Sequence, residues 1–526
     1  MRYSILLLLT FAISMTSCRK DFDTIPSSGK LEFSKTTVYL DTIFKNIGSS
    51  TYMLKVYNSS SDDITIPSIA LAKGNASKYR LIVDGMTGLD GPDADAIGDG
   101  KIFQNVQLLA HDSLFVFIET TADIADANPA DMLYTDEILF DAGVLQQKVN
   151  LVTLIQDAVF LFPDRTPDGN GGFIYESLQI GTNPANRIYG FVLDDTELHF
   201  TNAKPYVIYG YAAVSTGKTL IVDPGARVYF HDQSGIIVAG SIQVNGTVSP
   251  PSPSPNLLTN EVIFEGDRLE PSFSETPGQW GTILLASGST NNSFNHLTIK
   301  NASVGLFIQN NDATTVQIKN TQIYNSSNVG ILARTAKIKG ENIVINNAGQ
   351  YALACTLGGT YDFTHCTFAD YWQGSSRQSP TVLLDNTFND GTNIYVADLV
   401  QANFNNCIIF GPNNIELGLN QNNTKAFNHQ LKNCLIKFND TNNQFSGNPL
   451  YTSVFVPSNN NLMSNNAMPF DPKFKNTAKN NLRIGLTSAA TGKANSSFPY
   501  YINPDADGNT RTFPNSDIGA YEHLLN

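Results

Sequence analysis

The chain has 526 residues, roughly three to four times a typical domain length, so it contains either several domains or a repeat array. Apolar residues make up 41% and charged residues only 15%, which is enough apolar material for a folded interior and excludes a disordered chain. The 33 basic and 47 acidic residues give a net charge of −14, and no basic run exceeds Arg19-Lys20, so no nucleic-acid partner is expected.

The first 17 residues have the pattern of an export signal, and a cysteine follows them. Met1-Arg2 is basic, Ile5 to Ile13 is an apolar run too short to span a bilayer, and Cys18 closes the segment. The small residue before Cys18 resembles the lipobox of bacterial lipoproteins, in which the cysteine is acylated and becomes the first residue of the mature chain. Met15-Thr16-Ser17 departs from the commonest Leu-Ala-Gly pattern, so a plain signal peptide over residues 1–17 stays as the alternative.

The lipobox resemblance implies palmitate-type acyl chains on Cys18 and a membrane anchor, since each buried methylene contributes about 0.8 kcal/mol. Residues 18–30 are rich in Ser, Pro, Asp and Lys, which predicts a short flexible tether. Arg19 to Asp23 resembles the acidic tags that send some Gram-negative lipoproteins to the outer face of the outer membrane. We therefore expect an outer-membrane, lipid-anchored protein, either on the periplasmic face or at the cell surface.

A series of short alternating runs, divided by Gly, Asn, Asp and Ser turns, extends over residues 31–158. Such period-two runs, repeated over about 125 residues, predict a β-sandwich. The order of four motifs resembles the immunoglobulin-like modules of bacterial surface lipoproteins, which act as spacers or docking units. These motifs are Asp41-Thr42-Ile43-Phe44, Lys55-Val56-Tyr57-Asn58, Val83-Asp84-Gly85 and His111 to Val116.

A segment of the form apolar-x-polar-x-x-apolar repeats in the second region of the chain. One turn of a parallel β-helix, with three short strands and three bends, needs about the length of one such repeat. Asn supports this interpretation, because 42 of the 236 residues from Asn291 onward are Asn, against 13 of the first 290. Asn tolerates left-handed backbone at bends, and its amides can hydrogen-bond from coil to coil. The copies begin at Phe294, Ile318, Ile338, Phe363, Leu384, Phe404 and Leu431, in steps of 20 to 27 residues.

Segments upstream of the repeats closely resemble right-handed parallel β-helix proteins of the pectate-lyase-like superfamily. They are Thr219 to Phe230, Gly235 to Gly240, Ile242 to Thr247, Glu261 to Phe264 and Gly278 to Ile283. Asp505 to Arg511 and Asp517 to Glu522 resemble the terminal signature of exported β-helix proteins. The resemblance implies an all-β chain with a right-handed parallel β-helix over 159–504 and a C-terminal capping segment over 505–526. It leaves the reaction open, because this fold carries lyases, hydrolases, epimerases and binding proteins.

Four cysteines follow Cys18 in the chain, at Cys355, Cys366, Cys407 and Cys434. Their even number would allow two disulfides in an oxidising periplasm. Their spacings match no zinc site, and three of them occupy one position of the repeat. Small buried side chains stacked in a core are therefore the favoured interpretation.

The catalytic motifs of the related enzymes are missing. The Arg-x-Pro-x-x-Arg pattern of pectate lyases is approached only at Arg165 to Asn170, where Asn170 replaces the second Arg. The Gly-His-Gly element of galacturonan hydrolases is absent, since no His is flanked by Gly on both sides. The sequence therefore does not decide whether the chain is an enzyme.

Calcium is the one cofactor that the sequence raises. Asp505, Asp507 and Asn509 are spaced like the start of an EF-hand loop, but Thr510 and Ser516 stand where Gly and Glu are required. We expect a structural turn here and no bound cofactor.

A set of aromatic and charged residues is the strongest candidate for a site. Aromatic rings offer apolar faces on which sugars stack, and planar charged groups bind hydroxyls or carboxylates. In the alternative interpretation Trp280 covers the seam between coils, Asp267-Arg268 is an ordinary pair and His365 fills a stacking position. The expected ligand-binding residues are Trp280, Tyr361, Tyr371, Trp372 and Arg377, and the catalytic candidates are Asp267, Arg268, Asp362 and His365.

Three functions remain open from the sequence. The leading expectation is a non-catalytic envelope lipoprotein that binds a polysaccharide or surface glycan. The second is a polysaccharide lyase or glycoside hydrolase that acts on acidic polysaccharide in a lateral groove of the β-helix. The third is an adhesive rod, which predicts no aromatic groove.

Overall fold

The computed structural model describes residues 23–89, 97–181, 183–250, 258–311, 314–497 and 499–524. The predicted signal peptide 1–17, the lipidation site Cys18 and the start of the tether lie outside these residues. The described chain is nearly all β, which confirms the predicted class. It divides into two units, Met1–Asp157 and Ala158–Asn526. Among the described residues, no helix has both the length and the apolar character needed to cross a membrane.

The first unit contains two sheets whose inward side chains share one core. Alternation places Val38 and Leu40 of one sheet and Leu54 and Val56 of the other in the same buried cluster. One sheet consists of Ile25–Pro26, Thr37–Phe44, Ile64–Leu71, Ile102–Leu108, Leu133–Phe140 and Gln147–Gln156. The other consists of Glu32–Phe33, Tyr52–Tyr57, Tyr79–Val83 and Ser113–Thr120, and 3-10 turns lie at Gly74–Ala76, Ile124–Asp126 and Gly143–Leu145.

In the second unit the chain passes repeatedly through two parallel sheets, which we name the short sheet and the long sheet. Each strand pairs in parallel with the strand one passage earlier, as Phe294 does with Ile318. The short sheet consists of Val159–Leu161, Tyr206–Ile208, Arg227–Phe230, Val262–Gly266, Leu297–Lys300, Gln322–Ser326, Val344–Ala348, Thr367–Ala369, Ile408–Phe410, Leu435–Lys437 and Leu462–Ser464.

The strands of the long sheet form two rows. In each coil the chain passes first through row one and then through row two, and each strand pairs with strands of its own row. Row one consists of Arg187–Val192, Tyr211–Val214, Gly235–Val238, Trp280–Leu285, Ala302–Gln309, Val382–Asp385, Leu417–Asn420 and the first halves of Val329–Glu341 and Tyr351–Thr364. Row two consists of His199–Phe200, Thr219–Val222, Ser241–Asn245, Ser293–Asn295, Val316–Lys319, Leu399–Asn405, Phe427–Lys432 and the second halves of the two long strands. Ser177–Gln179 pairs antiparallel with Arg187–Val192. Two hairpins pair Arg165–Pro167 with Phe173–Tyr175 and Thr387–Asn389 with Ile394–Val396; helical turns lie at Pro449–Val454, Pro457–Asn459 and Thr477–Lys479.

In each of several successive coils, a single residue with a left-handed backbone connects the row-two strand to the short-sheet strand. We name this series of residues the bend ladder. Asn suits these positions because its side chain tolerates positive φ. The amide of Asn342 donates to Asn320 Oδ1 at 2.9 Å, and that of Asn406 contacts His365 Nε2 at 3.0 Å. The ladder residues are His296, Asn320, Asn342, His365, Asn406 and Asn433, all with φ between 43° and 55°.

The register of the coils differs from the sequence prediction at two places. Ile318 pairs with Gly340, so the copy predicted to begin at Ile338 is shifted by two residues. A Cβ on Gly340 would lie 2.5 Å from Cδ1 of Phe363, so the ring of Phe363 fills the space that an apolar side chain would need there. Leu384 belongs to row one and begins no coil of its own. Phe363 pairs directly with Phe404, and the coil between them is lengthened by a loop and a hairpin.

The C-terminal segment lies along the side of the coils rather than closing one end. Its apolar side chains cover the outer face of the short sheet around Tyr324, Val344 and Ile408. The backbone N–H of Gly519 donates to the Asn406 carbonyl at 2.8 Å, and Arg511 donates to Asn342 Oδ1 at 3.0 Å. Residues 505–524 of the predicted capping segment therefore form a lateral cover that binds to the middle of the bend ladder.

Cys355, Cys366, Cys407 and Cys434 are free thiols in this structure, and all four are fully buried. The last three each follow a residue of the bend ladder, which stacks them in successive coils. Burial raises the pKa of the Cys407 and Cys434 thiols, so these groups stay protonated.

Candidate functional site

Two of the predicted ligand-binding aromatic residues lie in the core. Trp280 is 1% exposed, stacks on Phe230 with ring centroids 4.1 Å apart, and donates its indole N–H to the Lys300 carbonyl at 2.8 Å. Tyr361 is fully buried, and its hydroxyl donates to the Gly358 carbonyl at 2.7 Å. Neither ring is available to stack on a ligand. The Trp280 ring packs inside the core.

The catalytic candidates do not come together. His365 is fully buried within the bend ladder, and burial lowers its pKa well below the usual range, so the imidazole is held neutral. Asp362 lies on row two, where burial raises its pKa and Lys339 opposes that rise. Arg268 follows a short-sheet strand, is exposed, and lies 2.9 Å from Glu270. An enzyme site that combines Arg268 with His365 is therefore excluded by this geometry.

Arg377 is buried within a loop between Thr367–Ala369 and Val382–Asp385. Its guanidinium donates to both carboxylate oxygens of Glu416, at 2.8 and 2.9 Å, and its Nε lies 3.5 Å from Asp370 Oδ2. Burial raises the pKa of Asp370 to about 8, against the opposing effect of the arginine. This predicted ligand-binding arginine thus fastens its loop to the coils.

Tyr371 and Trp372 belong to the same loop and are half-buried. Tyr371 packs edge-on against Phe474 of the C-terminal segment, with ring centroids 6.2 Å apart. Trp372 donates its indole N–H to Ser375 Oγ within the loop, at 3.1 Å. The loop therefore presents part of one indole ring and no aromatic groove.

The proposed calcium ligands are already occupied by protein donors. Asp505 accepts backbone N–H groups of Asp507, Asn509 and Glu522 at 2.7 to 3.0 Å. Both carboxylate oxygens of Asp507 bind the guanidinium of Arg483, at 2.5 and 2.6 Å. These contacts make Asp505 and Asp507 part of a turn that the protein's own donors hold.

A second acidic group lies nearby, where Asp517, Glu522 and His523 place ligand atoms within 4.8 Å of one another. Asp517 Oδ2 lies 2.8 Å from His523 Nδ1, and Glu522 Oε2 lies 3.6 Å from the buried guanidinium of Arg511. The carboxylate charges in this group are compensated by the protein itself.

The side chains of Tyr209, His231 and Asp267 form a partly exposed stack, and Asp267 is one of the residues predicted from the sequence. The residues Tyr209, His231 and Asp267 each follow the short-sheet strand of successive coils, so the register of those strands sets them above one another. His231 Nδ1 lies 2.8 Å from Asp267 Oδ2, and its ring stacks on Tyr209 with centroids 4.4 Å apart. The His231 side chain is 49% exposed, and Asp267 is 12% exposed. We name these three residues, with Tyr175 and Tyr189, the tyrosine–histidine cluster.

Tyr189 and Tyr175 extend the cluster along the surface. The ring of Tyr189 lies on Gly210, where a Cβ would come within 2.8 Å of its Cδ1, so only glycine permits this contact. Tyr175 packs edge-on against Tyr189, with centroids 5.6 Å apart, and the two residues are 46% and 41% exposed. Two further exposed aromatic rings thus lie beside Gly210 and Tyr209, which neighbour each other in the chain.

The electrostatics of the cluster follow from Asp267. Its hydrogen bond raises the pKa of His231, against the opposing effect of burial. Burial, with the charge of Asp267, raises the pKa of Tyr209 to about 12, so its hydroxyl stays protonated. The cluster therefore offers ring faces, a neutral phenol and an imidazole whose second nitrogen makes no hydrogen bond within the described residues.

A different pair of carboxylates lies on the outer face of the short sheet. Lys300 Nζ lies 3.8 Å from Glu265 Oε2 and 3.3 Å from Glu275 Oε1. Burial raises the pKa of Glu265, although Lys300 opposes that rise. Glu275 Oε2 accepts the amide of Asn325 at 2.7 Å. The carboxyl groups of Glu265 and Glu275 therefore both lie near the Lys300 ammonium, but Glu265 is the more buried of the two.

Comparisons with known proteins give no family. No family model and no curated protein matches the sequence. Solved structures that resemble it include a PapD-like domain of human CEP192 (14% identity, 26% of this chain and 90% of that chain, TM-score 0.15). Others are a family 123 glycoside hydrolase from Clostridium perfringens (8%, 25% and 30%, TM-score 0.16) and the catalytic domain of a GH87 α-1,3-glucanase (11%, 73% and 82%, TM-score 0.16). TM-scores this low do not establish a shared fold, so the function is argued from this chain's own residues.

Proposed function

We propose that this chain is an exported lipoprotein that binds glycans through the tyrosine–histidine cluster. In this proposal the first unit is an immunoglobulin-like β-sandwich, and the second is a right-handed parallel β-helix that carries the cluster. The observation that carries the proposal is the partly exposed stack of Tyr209 and His231 beside Asp267, with the exposed rings of Tyr175 and Tyr189 near Tyr209.

The chemistry of the cluster suits a sugar better than a purely apolar ligand. Ring faces pack against the C–H groups of a pyranose, while the imidazole and carboxylate exchange hydrogen bonds with hydroxyls. The tyrosines are rigid, so little side-chain entropy is lost on binding. The absence of the related enzymes' motifs favours binding over catalysis in this part of the surface.

Tyr189→Ala tests the proposal, with the equally bulky Tyr39→Ala as its matched control. Tyr39 is 68% exposed and lies in the first unit. On a glycan array followed by titration calorimetry, we expect Tyr189→Ala to weaken binding on the order of three- to tenfold, since one aromatic contact is removed. Equal affinities for the two variants, or no glycan bound by the unmodified chain, would refute the proposal.

Glycoside hydrolysis is the second candidate, and the Glu265–Lys300–Glu275 arrangement favours it. A carboxyl group whose pKa is raised by burial, close to a second carboxyl group, is what hydrolysis of a glycosidic bond requires. We expect any release of reducing ends from an acidic polysaccharide to be lost in Glu265→Gln and kept in Glu341→Gln, whose carboxylate lies on row two between Lys319 and Lys339. Release that survives Glu265→Gln would remove this candidate.

A further inference from the structure

Arg334 lies on the outer side of row one and is far from the tyrosine–histidine cluster in the amino-acid sequence. Its register neighbours are Gln309 in the preceding coil and Thr356 in the following coil. The carbon atom of its guanidinium lies 3.9 Å from the ring centroid of Phe388 and 5.2 Å from that of Phe307. Phe388 belongs to the inserted hairpin and Phe307 to the preceding coil, so two separate elements hold one cation between aromatic rings.

This guanidinium has no ionic partner within the described residues. No carboxylate there lies within ion-pair distance of Arg334, and its buried Nε has no hydrogen-bond partner. The carboxylate in the same lateral position two coils on, Asp385, is occupied by the amide of Asn420 at 2.7 Å and the backbone N–H of Thr387 at 2.6 Å.

The other half-buried or buried arginines of the second unit all have polar partners. Arg377 binds Glu416, Arg483 binds Asp507, and Arg511 binds Asn342. Arg227 donates to the backbone carbonyl of Glu261 at 2.6 Å. Among these arginines Arg334 is therefore the exception, because its guanidinium lacks such a partner within the described residues.

An unpaired cation that is partly removed from water is unfavourable unless a counter-charge arrives. The planar guanidinium matches the two oxygens of a carboxylate, and charge-assisted hydrogen bonds of this kind are among the strongest that proteins make. Since the whole chain carries −14, a local cation of this kind is what would let it bind an anion.

The surface beside Arg334 suits an extended ligand. Ile237, Leu284, Phe307 and Leu332 occupy the same outward position in successive coils and are partly exposed. At the start of this apolar row an open cavity of about 580 Å³ lies against Ile237 and Leu284. A chain of sugar rings can stack along such a row with an acidic group at the arginine.

We infer that Arg334, held between Phe307 and Phe388, is the subsite for an oxyanion of an acidic saccharide. This inference rests on the proposed glycan binding and adds the class of glycan, one that carries carboxylate or sulfate groups. Both groups present oxygens that a guanidinium binds, so the experiment has to separate them.

The experiment uses the full chain and three hexasaccharide probes: a uronate hexamer, a sulfated hexamer and neutral cellohexaose. Arg334→Ala removes the cation, Arg334→Lys keeps the charge without the planar fork, and Lys337→Ala removes one exposed charge from the same strand as a matched control. Titration calorimetry should show anionic-hexamer binding weakened about ten- to a hundredfold by Arg334→Ala, less by Arg334→Lys and not by Lys337→Ala. The anionic probe that loses more affinity identifies the acidic group.

Several results would overturn the inference. If Arg334→Ala and Arg334→Lys bind the anionic hexamers as the unmodified chain does while glycan binding persists, the arginine is only a packing residue and the proposed function stands. If Lys337→Ala weakens binding as much as Arg334→Ala, the effect is one of overall charge. If the unmodified chain binds none of the probes and no glycan on the array, both the inference and the proposed function fail.

Discussion

The charged side chains of this protein differ in how far they are removed from water. Arg377 and Glu416 are almost completely enclosed and satisfy each other, whereas His231 keeps half of its side chain in water beside Asp267. The enclosed pair is removed from water, so loss of one member leaves a charge in the interior. The exposed pair of His231 and Asp267 can be broken without destabilising the fold, and its loss changes the protonation of His231.

Arg377→Met should destabilise the chain by about 3–5 kcal/mol, because Glu416 and Asp370 would be left buried without their cation. Chemical denaturation followed by circular dichroism measures this difference. Lys218→Ala, which breaks the exposed pair with Asp195, is the control and should change stability by less than about 1 kcal/mol. Similar effects for the two variants would show that the Arg377 pair is not buried as described.

Asp267→Asn should lower the pKa of His231, because the hydrogen bond and charge of Asp267 are what raise it. A histidine whose pKa is raised in the folded state contributes stability that is present below its unfolded pKa of about 6.5 and is lost as the pH rises through the folded value. NMR titration of ¹³C-labelled histidine measures the shift directly. Asp223→Asn, which alters the pair with His199, should leave the titration of His231 unchanged.

At the scale of the coil, the bend ladder combines a backbone requirement with side-chain hydrogen bonds. Asn406 has φ 55° and donates its amide to the carbonyls of Asn495 and Tyr500 as well as contacting His365. One residue therefore turns the chain and fastens the C-terminal segment.

Asn406→Ala should lower the free energy of unfolding by about 2–3 kcal/mol, since it leaves carbonyls unpaired and places Ala in a left-handed conformation. Asn406→Gly accepts that conformation and should be less destabilising than Asn406→Ala by about 1 kcal/mol. Asn423→Ala, at an exposed position, serves as the control in the same urea titrations. If the Gly and Ala variants are equally unstable, the backbone contribution assigned here is wrong.

The sequence predicts the coils because inward apolar side chains and bend asparagines recur together. It fails at Ile338, since Gly340 takes the inward position and removes the apolar signal. It fails at Leu384 because the strand Val382–Asp385 and the hairpin after it show the same alternation as a new coil. Both errors come from local patterns that do not reveal which strand is the partner.

The site was harder to predict for a related reason. Tyr209 and His231 meet Asp267 only because three strands from different coils share one register, and that register is not visible in sequence order. The sequence predicts Trp280 as a ligand-binding residue at the surface, whereas the coil geometry turns its ring inward against Phe230. A signal was present in the opening coils, where Tyr209 and His231 directly follow apolar runs at equal positions.

At the scale of the whole chain, the anchor is a prediction about residues outside the described part. If Cys18 is acylated, Cys18→Ala should lose palmitate labelling and remain an unprocessed precursor in cell fractions. The Asp267→Asn variant, which keeps Cys18, should be labelled normally. Normal cleavage and continued membrane attachment of Cys18→Ala would show that attachment has another cause, and protease shaving of intact cells would decide which face carries the protein.

The lateral cover has a consequence for the order in which the molecule assembles. Because a chain is synthesised from its N-terminus, the segments around Asn342 and Asn406 are made before Arg511 and Gly519 are present to bind them. During that interval Val344 and Ile408, which the cover later hides, face solvent. The apolar flank in the middle of the second unit is thus covered only after these residues have been made, so a chain truncated before Arg511 would have wound coils and an exposed apolar flank that is prone to aggregation.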